Sequence, residues 1–225
     1  MFEKVLGCDN LRRSRLHDEK GNRVSIFQLK ELGVAGVVRI SQALTGRPYL
    51  PWVPFAVIRE LKLILNKESH ILEYGSGRST IWLAKRSHSV ISIEGYQPWY
   101  EKVSTILRKL NLQNVDYRFL TGDEYSLASD FADETFDLIV VDGNSRSKCL
   151  ENAHRKLKVG GYLYLDNSDT DMAIPDGDMR LAEAKMRKLA EEWSAPLKFY
   201  TGYSPGSLHP HQGALLQKLI NSSVH

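Results

Sequence analysis

The sequence predicts an α/β fold built on a doubly wound, mostly parallel sheet, and two observations lead to it. From about residue 70 onward, short apolar segments alternate with segments whose apolar residues recur at helical spacing, as in sheets whose parallel strands are joined by helices. Two of the short segments, 90–93 and 138–141, are apolar nearly throughout, which is typical of strands buried on both faces. The 225 residues therefore suit one main domain with an extension before it.

The elements follow one another regularly along the chain. Strands are predicted at 70–74, 89–94, 115–120, 136–142 and 161–166, and two closing strands at 197–201 and 213–219. Helices are predicted at 79–86, 98–110, 125–131 and 147–157, after residue 178, and in the N-terminal part at 55–65, whereas 25–44 is predicted to form one or two short helices interrupted by Gly33 and Gly36. We therefore divide the chain into an N-terminal extension of lid helices, residues 1–65, and a main domain, residues 66–225.

Composition and charge narrow the classes of function. The net charge is only +3, and no aromatic residues are interleaved with the basic cluster Arg12, Arg13 and Arg15, so no nucleic-acid partner is expected. The two cysteines, Cys8 and Cys149, lie far apart and do not form a disulfide framework. The N-terminus lacks an apolar signal region, and the apolar run near it is too short to span a bilayer. These features predict a cytoplasmic protein with no membrane span.

A glycine-rich turn follows the first predicted strand of the main domain. Segment 71–80 runs from apolar residues and an acid into two glycines and then directly into a helix. Glycine lets a ligand lie against the backbone, and Ser79 or Thr80 can cap the helix, whose positive end faces the turn. The turn is therefore predicted to hold a nucleotide-like cofactor through Glu73, Tyr74, Gly75, Ser76, Gly77, Ser79 and Thr80.

Each of the five parallel strands is predicted to end in, or next to, a carboxylate. The residues concerned are Glu73, Glu94 followed by Gly95 and Tyr96, Gly122 followed by Asp123, Asp142, and Asp166 followed by Asn167. Ligands of doubly wound sheets bind at the carboxyl ends of the strands. About twenty residues after the glycine turn, Glu94 is placed to bind both ribose hydroxyls, whereas Asp123 and Tyr96 are placed near a base.

Two residues of the turn disfavour a dinucleotide. The third glycine of the dinucleotide fingerprint is absent, because position 80 is Thr. Glu73 would repel a pyrophosphate, whereas it would attract the ammonium group of an amino acid. An NAD(P)-dependent oxidoreductase is therefore the less favoured alternative.

The motif series resembles that of class I S-adenosylmethionine-dependent methyltransferases over about residues 70–220. It comprises the 73–77 turn, Glu94, the segment 141–143 and the segment 157–163, whose Gly160-Gly161 turn is characteristic of that family. The resemblance implies a Rossmann-like sheet of seven strands in which the last strand is antiparallel. It also implies that Glu73 and the 75–77 turn hold the methionine part of S-adenosylmethionine, that Glu94 holds the ribose, and that Asp123 holds the adenine.

Asp142, Asp166 and Asn167 are similar to the residues that hold a divalent cation in metal-dependent O-methyltransferases. Three oxygen ligands with open positions suit Mg²⁺ or a similar hard cation, which lowers the pKa of a bound hydroxyl. The catechol-type enzymes carry a lysine three residues after the first Asp, whereas here that position is Ser145, followed by Arg146. The alternative is that these residues cap helices and hold the cofactor or the acceptor without a metal.

Arginine stays charged and cannot act as a base, so the proton of the acceptor needs another destination. Either the metal activates the hydroxyl alone, or His209 or His211 accepts the proton. Arg146 is expected to bind an anionic acceptor or to pair with an acid such as Asp169. Asp142, Arg146, His209 and His211 are therefore the candidate catalytic residues.

These features together predict an S-adenosylmethionine-dependent methyltransferase. The expected acceptor is a hydroxyl of a small molecule or a sugar, and a divalent metal is a candidate second cofactor. A non-catalytic module that binds the cofactor or a partner on the same fold stays open as an alternative, because a fold does not fix a function.

Overall fold

The computed structural model describes residues 11–219. Its helices are α1 (Leu29–Thr45), α2 (Phe55–Ile64), α3 (Arg78–Ala84), α4 (Gln97–Lys109), α5 (Arg146–Ala153) and α6 (Asp178–Glu192). Its strands are β1 (His70–Tyr74), β2 (Ser89–Glu94), β3 (Val115–Phe119), β4 (Phe136–Val141), β5 (Leu157–Leu165), β6 (Lys198–Gly202) and β7 (His211–Gln217). Short 3₁₀ helices lie at Ile26–Gln28, Gly122–Ser126 and His154–Lys156.

The seven strands form one sheet in the order β3-β2-β1-β4-β5-β7-β6. Strands β1 to β5 run parallel to one another, and β7 is antiparallel to both β5 and β6. The predicted doubly wound, mostly parallel sheet with an antiparallel last strand is therefore confirmed. Because β1 and β4 lie side by side at the centre, the loops that follow them meet at one edge of the sheet.

Helices cover both faces of the sheet, and the side chains of the strands alternate between them. On β1, Leu72 and Tyr74 pack in a core cluster with residues of α5 and α6. Ile71 packs in a second cluster with residues of α2 and α3. Since neighbouring side chains of a strand point to opposite faces, Glu73 lies on the α3 side. This alternation places Glu73 on the opposite face of the sheet from the larger apolar cluster, which contains Leu72 and Tyr74.

Two predicted helices are wrong in part. No helix forms over 125–131, where the Gly122–Ser126 turn is followed by an extended Leu127 and a bend. Ser and Asp side chains in this segment compete for backbone groups and so disfavour a helix. The helix predicted at 147–157 ends at Ala153, and β5 begins at Leu157 instead of at 161 because Gly160 adopts a positive φ of 84° inside the strand.

The first described residues pack against the late part of the chain. The hydroxyl of Thr201 donates to Asp18 Oδ2 at 2.7 Å, and Lys20 Nζ lies 2.6 Å from Glu183 Oε2 of α6. The N-terminal segment is therefore held beside β6 and the loop that leads into β7. Among residues 11–219, no helix combines the length and the hydrophobicity that a membrane span requires.

The loops that follow β1 and β4 touch through their glycines. Gly75 has a φ of 91°, and a Cβ added there would lie 2.5 Å from the backbone nitrogen of Gly143. A Cβ added at Gly143 would lie 1.8 Å from the hydroxyl oxygen of Tyr125. The glycine turn is therefore closed on one side by backbone, not by a side chain that could move.

This contact gives a test of the packing of the glycine turn. Gly160→Ala should lower the free energy of unfolding by about 1–2 kcal/mol, because a φ of 84° strains an L-residue. A Cβ at Gly160 meets no other atom within 4 Å, so this variant measures the backbone strain alone. Gly75→Ala should lose a further 1–3 kcal/mol, roughly, because its methyl group also overlaps the backbone of Gly143. Urea denaturation of both variants measures the difference. Equal losses in the two variants would contradict the close approach of the two loops.

Candidate active site

The carboxylate of Glu73 is fully buried, and only one of its oxygens has a partner. Its Oε2 accepts hydrogen bonds from the hydroxyls of Thr80 and Ser92, both at 2.6 Å. Its Oε1 is buried without a hydrogen-bond partner in the described part of the chain. A buried acceptor of this kind needs a donor, and the ammonium group of an amino acid supplies both the donor and the charge.

Thr80 contributes to this site differently from the cap that the sequence predicted. The helix α3 begins at Arg78, so its N-cap is Gly77 and neither Ser79 nor Thr80. The Thr80 hydroxyl accepts the backbone N–H of Gly77 at 2.9 Å while it donates to Glu73. Thr80 therefore links the glycine turn to Glu73 through its hydroxyl, which a glycine at position 80 would lack.

Glu94 joins the turn after β1 to the loop after β2. Its Oε2 accepts hydrogen bonds from both the backbone N–H and the hydroxyl of Ser76, at 3.1 and 2.7 Å. Its Oε1 accepts the backbone N–H groups of Gly95 and Tyr96, both at 2.9 Å. Trp99 holds the same turn by donating its indole N–H to the carbonyl of Ser76 at 2.8 Å. The predicted ribose acid is thus fixed at the junction of the two loops.

Three other residues predicted to bind the cofactor contribute no side chain to this junction. The side chain of Tyr74 is fully buried in the core, with its ring centroid 6.0 Å from that of Tyr125, so only its backbone faces the turn. Asp123 is an exposed carboxylate of the Gly122–Ser126 turn and pairs with Lys148 at 3.2 Å. Tyr96 is 63% exposed beside Glu94. The prediction for Tyr74 is therefore wrong for its side chain.

Asp142 and Asp166 follow the neighbouring strands β4 and β5, and they lie close enough for the charge of Asp166 to raise the pKa of Asp142. Tyr164, two residues earlier on the same face of β5, donates its hydroxyl to Asp166 Oδ1 at 2.5 Å. Burial raises the pKa of both acids, and the charge of Arg146 opposes that rise. The guanidinium therefore favours the ionised form of both acids against the effect of burial. The sequence analysis did not assign Tyr164, although its period-two spacing to Asp166 is a usable signal.

The guanidinium of Arg146 fills the space between the ends of β4 and β5. Its Nη2 lies 3.4 Å from Asp142 Oδ1 and 3.1 Å from Asn167 Oδ1. Its Nε donates to the carbonyl of Gly143 at 2.8 Å, and its Nη1 donates to the carbonyl of Asp166. Arg146 is thus the common partner of all three predicted metal ligands, and it pairs with Asp142 instead of Asp169.

These residues do not fit a resident divalent cation as they stand. A cation that contacted Asp142 and Asn167 would lie against a guanidinium that is permanently positive. Within residues 11–219, no group of three or more His, Cys, Asp or Glu side chains is arranged to hold a metal ion. The oxygens that the sequence marked as metal ligands therefore converge on Arg146.

A cavity of about 410 Å³ opens beside these strand ends. Its lining includes Asp142, Asp166, Asn167, His209, His211, Trp52, Arg12 and Arg39. His211 begins β7, and its buried Nε2 has no hydrogen-bond partner in the described part of the chain and lies 3.7 Å from Asp166 Oδ1. The cavity therefore brings together three of the four predicted catalytic side chains, with Arg146 behind the wall.

The sequence matches a known domain family across this site. Residues 72–168 match the family model described as a methyltransferase domain. That range spans the glycine turn, Glu94, Asp142 and Asp166, which the structure places at adjoining strand ends. Residues 72–168 therefore form a methyltransferase domain, and the seven-strand sheet has the fold of class I, S-adenosylmethionine-dependent methyltransferases. No protein with a curated description matches the sequence.

Solved methyltransferase structures share this fold at low sequence identity. A candidate O-methyltransferase from Klebsiella pneumoniae is 19% identical with a TM-score of 0.62, and the match covers 87% of this chain and 97% of that one. An O-methyltransferase from Bacillus cereus in complex with S-adenosylhomocysteine (SAH) is 20% identical with a TM-score of 0.59, over 83% and 91% of the two chains. A tRNA methyltransferase from Aquifex aeolicus is 20% identical with a TM-score of 0.55, over 82% and 76%.

Glu73 also makes the methyltransferase site sensitive to pH. Burial raises its pKa from 4.5 to about 7, although nearby hydroxyls, among them those of Thr80 and Ser92 that donate to its Oε2, oppose the rise and the charge of Asp142 adds to it. The folded state therefore holds this proton more tightly than the unfolded chain does. Consequently, Glu73 lowers the stability of the free protein as the pH rises from about 4.5 towards about 7.

Binding of an ammonium group should have the opposite dependence on pH, because it requires the ionised carboxylate. We expect SAH to bind more weakly by up to about tenfold for each pH unit below 7. Glu73→Gln should bind SAH more weakly and should flatten this dependence. Calorimetry of both proteins at pH 6, 7 and 8 provides the test. A wild-type affinity that does not change over this range would remove Glu73 from the ammonium site.

Proposed function

We propose that this methyltransferase transfers a methyl group from S-adenosylmethionine to a hydroxyl of a small molecule or a sugar. The observation that supports this proposal is the cavity of about 410 Å³, which presents His211 Nε2 and the Asp142–Asp166 pair at the carboxyl ends of β4 and β5. A concave site of this size suits a small ligand better than a nucleic-acid surface.

The cofactor would be held by the residues of the adjoining strand ends. Glu73 Oε1 would take the ammonium group, Glu94 the ribose hydroxyls, and Asp123 with Tyr96 the adenine. The fit rests on the buried, unpartnered Oε1 of Glu73 and on the bare backbone of Gly75 and Gly77. When bound, the cofactor supplies an electrophilic methyl group on a sulfonium.

The residues of the cavity would position the acceptor and receive its proton. With the cofactor bound, its sulfonium would supply the methyl group, the cavity residues would hold the acceptor oxygen in line with the breaking carbon–sulfur bond, and SAH would leave with the bonding electron pair. The hydroxyl proton passes to Nε2 of His211, and Asp166, 3.7 Å away, stabilises the imidazolium that forms. Asp142, on the same cavity wall, would orient the acceptor by accepting a hydrogen bond from a second donor group of that molecule. No step in this scheme requires a divalent metal, which the donor set around Arg146 does not fit.

The rim of the cavity indicates which hydroxyl compounds fit. Arg39 of α1 is exposed on the cavity wall and forms no ion pair within residues 11–219. Trp52, which is 54% exposed, offers an aromatic face on the same wall. An acceptor that carries a carboxylate or a phosphate away from its hydroxyl would satisfy Arg39. Residues 1–65, as a lid, would then contribute to acceptor selection, in a cytoplasmic protein as the sequence predicts.

Three rivals make different predictions. An oxidoreductase would have to place a pyrophosphate beside the buried carboxylate of Glu73, which is unfavourable. A non-catalytic module would bind SAH without needing the unpartnered Nε2 of His211. An RNA methyltransferase, such as the Aquifex aeolicus neighbour, would need its substrate to reach the same cavity. Release of SAH with a panel of phenols, hydroxy acids, sugars and bulk RNA separates these cases, and turnover on RNA alone would contradict the proposal.

The role of His211 can be tested against its neighbour in the loop. His211→Asn should lower kcat by about 10²–10⁴-fold with the best acceptor of the panel, because the transferred proton loses its acceptor. SAH affinity should stay within about twofold of the wild-type value, since His211 belongs to the acceptor side. His209→Asn, a change in the same cavity, should retain most of kcat. A larger loss in His209→Asn would assign the proton to the other histidine.

The charge preference can be tested with a matched pair of acceptors, a hydroxy acid and its methyl ester. Arg39→Ala should raise KM for the acid about two- to fivefold, because an exposed ion pair contributes only about 0.2–1 kcal/mol. KM for the ester should not change. Steady-state kinetics on both substrates provides the comparison, and an equal rise for both would mean that Arg39 acts through shape and not through charge.

A further inference from the structure

Five oxygen atoms surround the guanidinium of Arg146. They are the side-chain oxygens of Asp142 and Asn167 and the backbone carbonyls of Asp142, Gly143 and Asp166. Carboxylate, amide and carbonyl oxygens are the ligands that hard divalent cations take in proteins. The side chain is only 14% exposed, so its charge is balanced mainly by these oxygens. The strand ends thus form an oxygen-rich cation site, and the cation that occupies it is the guanidinium of Arg146.

The position of Arg146 is built into the fold. Ser145 adopts a positive φ of 48°, and α5 begins at the next residue. Asp178, at the start of α6, accepts the backbone N–H of Arg146 at 2.6 Å and that of Ser147 at 3.0 Å. The first turn of α5 is therefore anchored by another helix, and the guanidinium is held over the ends of β4 and β5.

We propose that Arg146 takes the place of a divalent cation at the ends of β4 and β5, and that removing its side chain exposes a latent metal site formed by Asp142, Asp166 and Asn167. The guanidinium supplies one permanent positive charge, and its Nη2 lies beside the side-chain oxygens of Asp142 and Asn167. A second cation at the same oxygens would lie within a few ångströms of the guanidinium, where like charges repel strongly. The chain's own side chain therefore excludes the metal.

A purely structural role for Arg146 would predict something different. If the side chain only tied the strand ends together, its loss would destabilise the protein without creating affinity for a metal. If it substitutes for a cation, its loss leaves several oxygens with no positive partner, and they should then bind one. Metal binding, and not activity, is the observation that separates the two roles.

The test is titration of the full-length protein with Mn²⁺, followed by the electron paramagnetic resonance of the free ion at pH 8. Arg146→Ala and the more conservative Arg146→Gln should each bind one Mn²⁺ at least tenfold more tightly than the wild-type protein does. Adding Asp142→Asn to either variant should remove this gain. Lys148→Ala is the matched control, because it removes one positive charge from an exposed position of the same helix and should gain no Mn²⁺ site.

Methylguanidine gives a further check, because it should compete with Mn²⁺ in Arg146→Ala if both occupy the same oxygens. Folded variants that bind no more Mn²⁺ than wild type would overturn the proposal. The wild-type titration decides the matter even if the variants fold poorly. One-to-one Mn²⁺ binding by wild type below about 1 mM would overturn the proposal, and its absence supports it. Because Mn²⁺ binding needs no acceptor, failure to find a hydroxyl substrate would leave this result intact.

Discussion

The guanidinium of Arg146 allows two carboxyl groups to lie together at adjacent strand ends, where Asp166 is buried and Asp142 is partly exposed. In a parallel sheet the carboxyl ends of β4 and β5 meet, so Asp142 and Asp166 are brought together whether or not their charges are compatible. Two ionised carboxylates at adjacent strand ends repel each other, and burial raises the free-energy cost of this repulsion. The permanent positive charge of Arg146, which contacts Asp142 Oδ1 and the carbonyl of Asp166, reduces that cost. The cavity wall and the route for the acceptor proton depend on this arrangement.

The two halves of the site stabilise their buried acids in different ways. On the cofactor side, hydroxyls of Thr80 and Ser92 satisfy one oxygen of Glu73 and leave the other for a cationic ligand. On the acceptor side, Arg146 is already present, and the unpartnered atom is Nε2 of His211. Glu73 Oε1 on the cofactor side thus needs a cationic partner, whereas His211 Nε2 on the acceptor side needs a proton donor. This difference fits a cationic methyl donor and a hydroxyl acceptor.

The sequence was most informative where chemistry follows from position along a strand. Glu73, Glu94, Asp142 and Asp166 could be placed at one edge because parallel strands must end there, and the family match spans all of them. Side-chain direction was harder to predict, as the buried Tyr74 shows. The role of Arg146 could not be read from its spacing, because it depends on the positive φ of Ser145 and on Asp178, thirty-two residues later in the chain. Arg39 reaches the cavity only through the packing of α1.

A crystal structure of the protein with SAH bound tests the account most directly. The account predicts the ammonium group of SAH at Oε1 of Glu73, the ribose hydroxyls at Glu94, and the sulfur facing the cavity that holds His211. Arg146 should remain between Asp142 and Asn167 in crystals grown with Mn²⁺. SAH bound away from Glu73 would contradict the cofactor site, and anomalous density for Mn²⁺ at Asp142 in the wild-type protein would contradict the role given to Arg146.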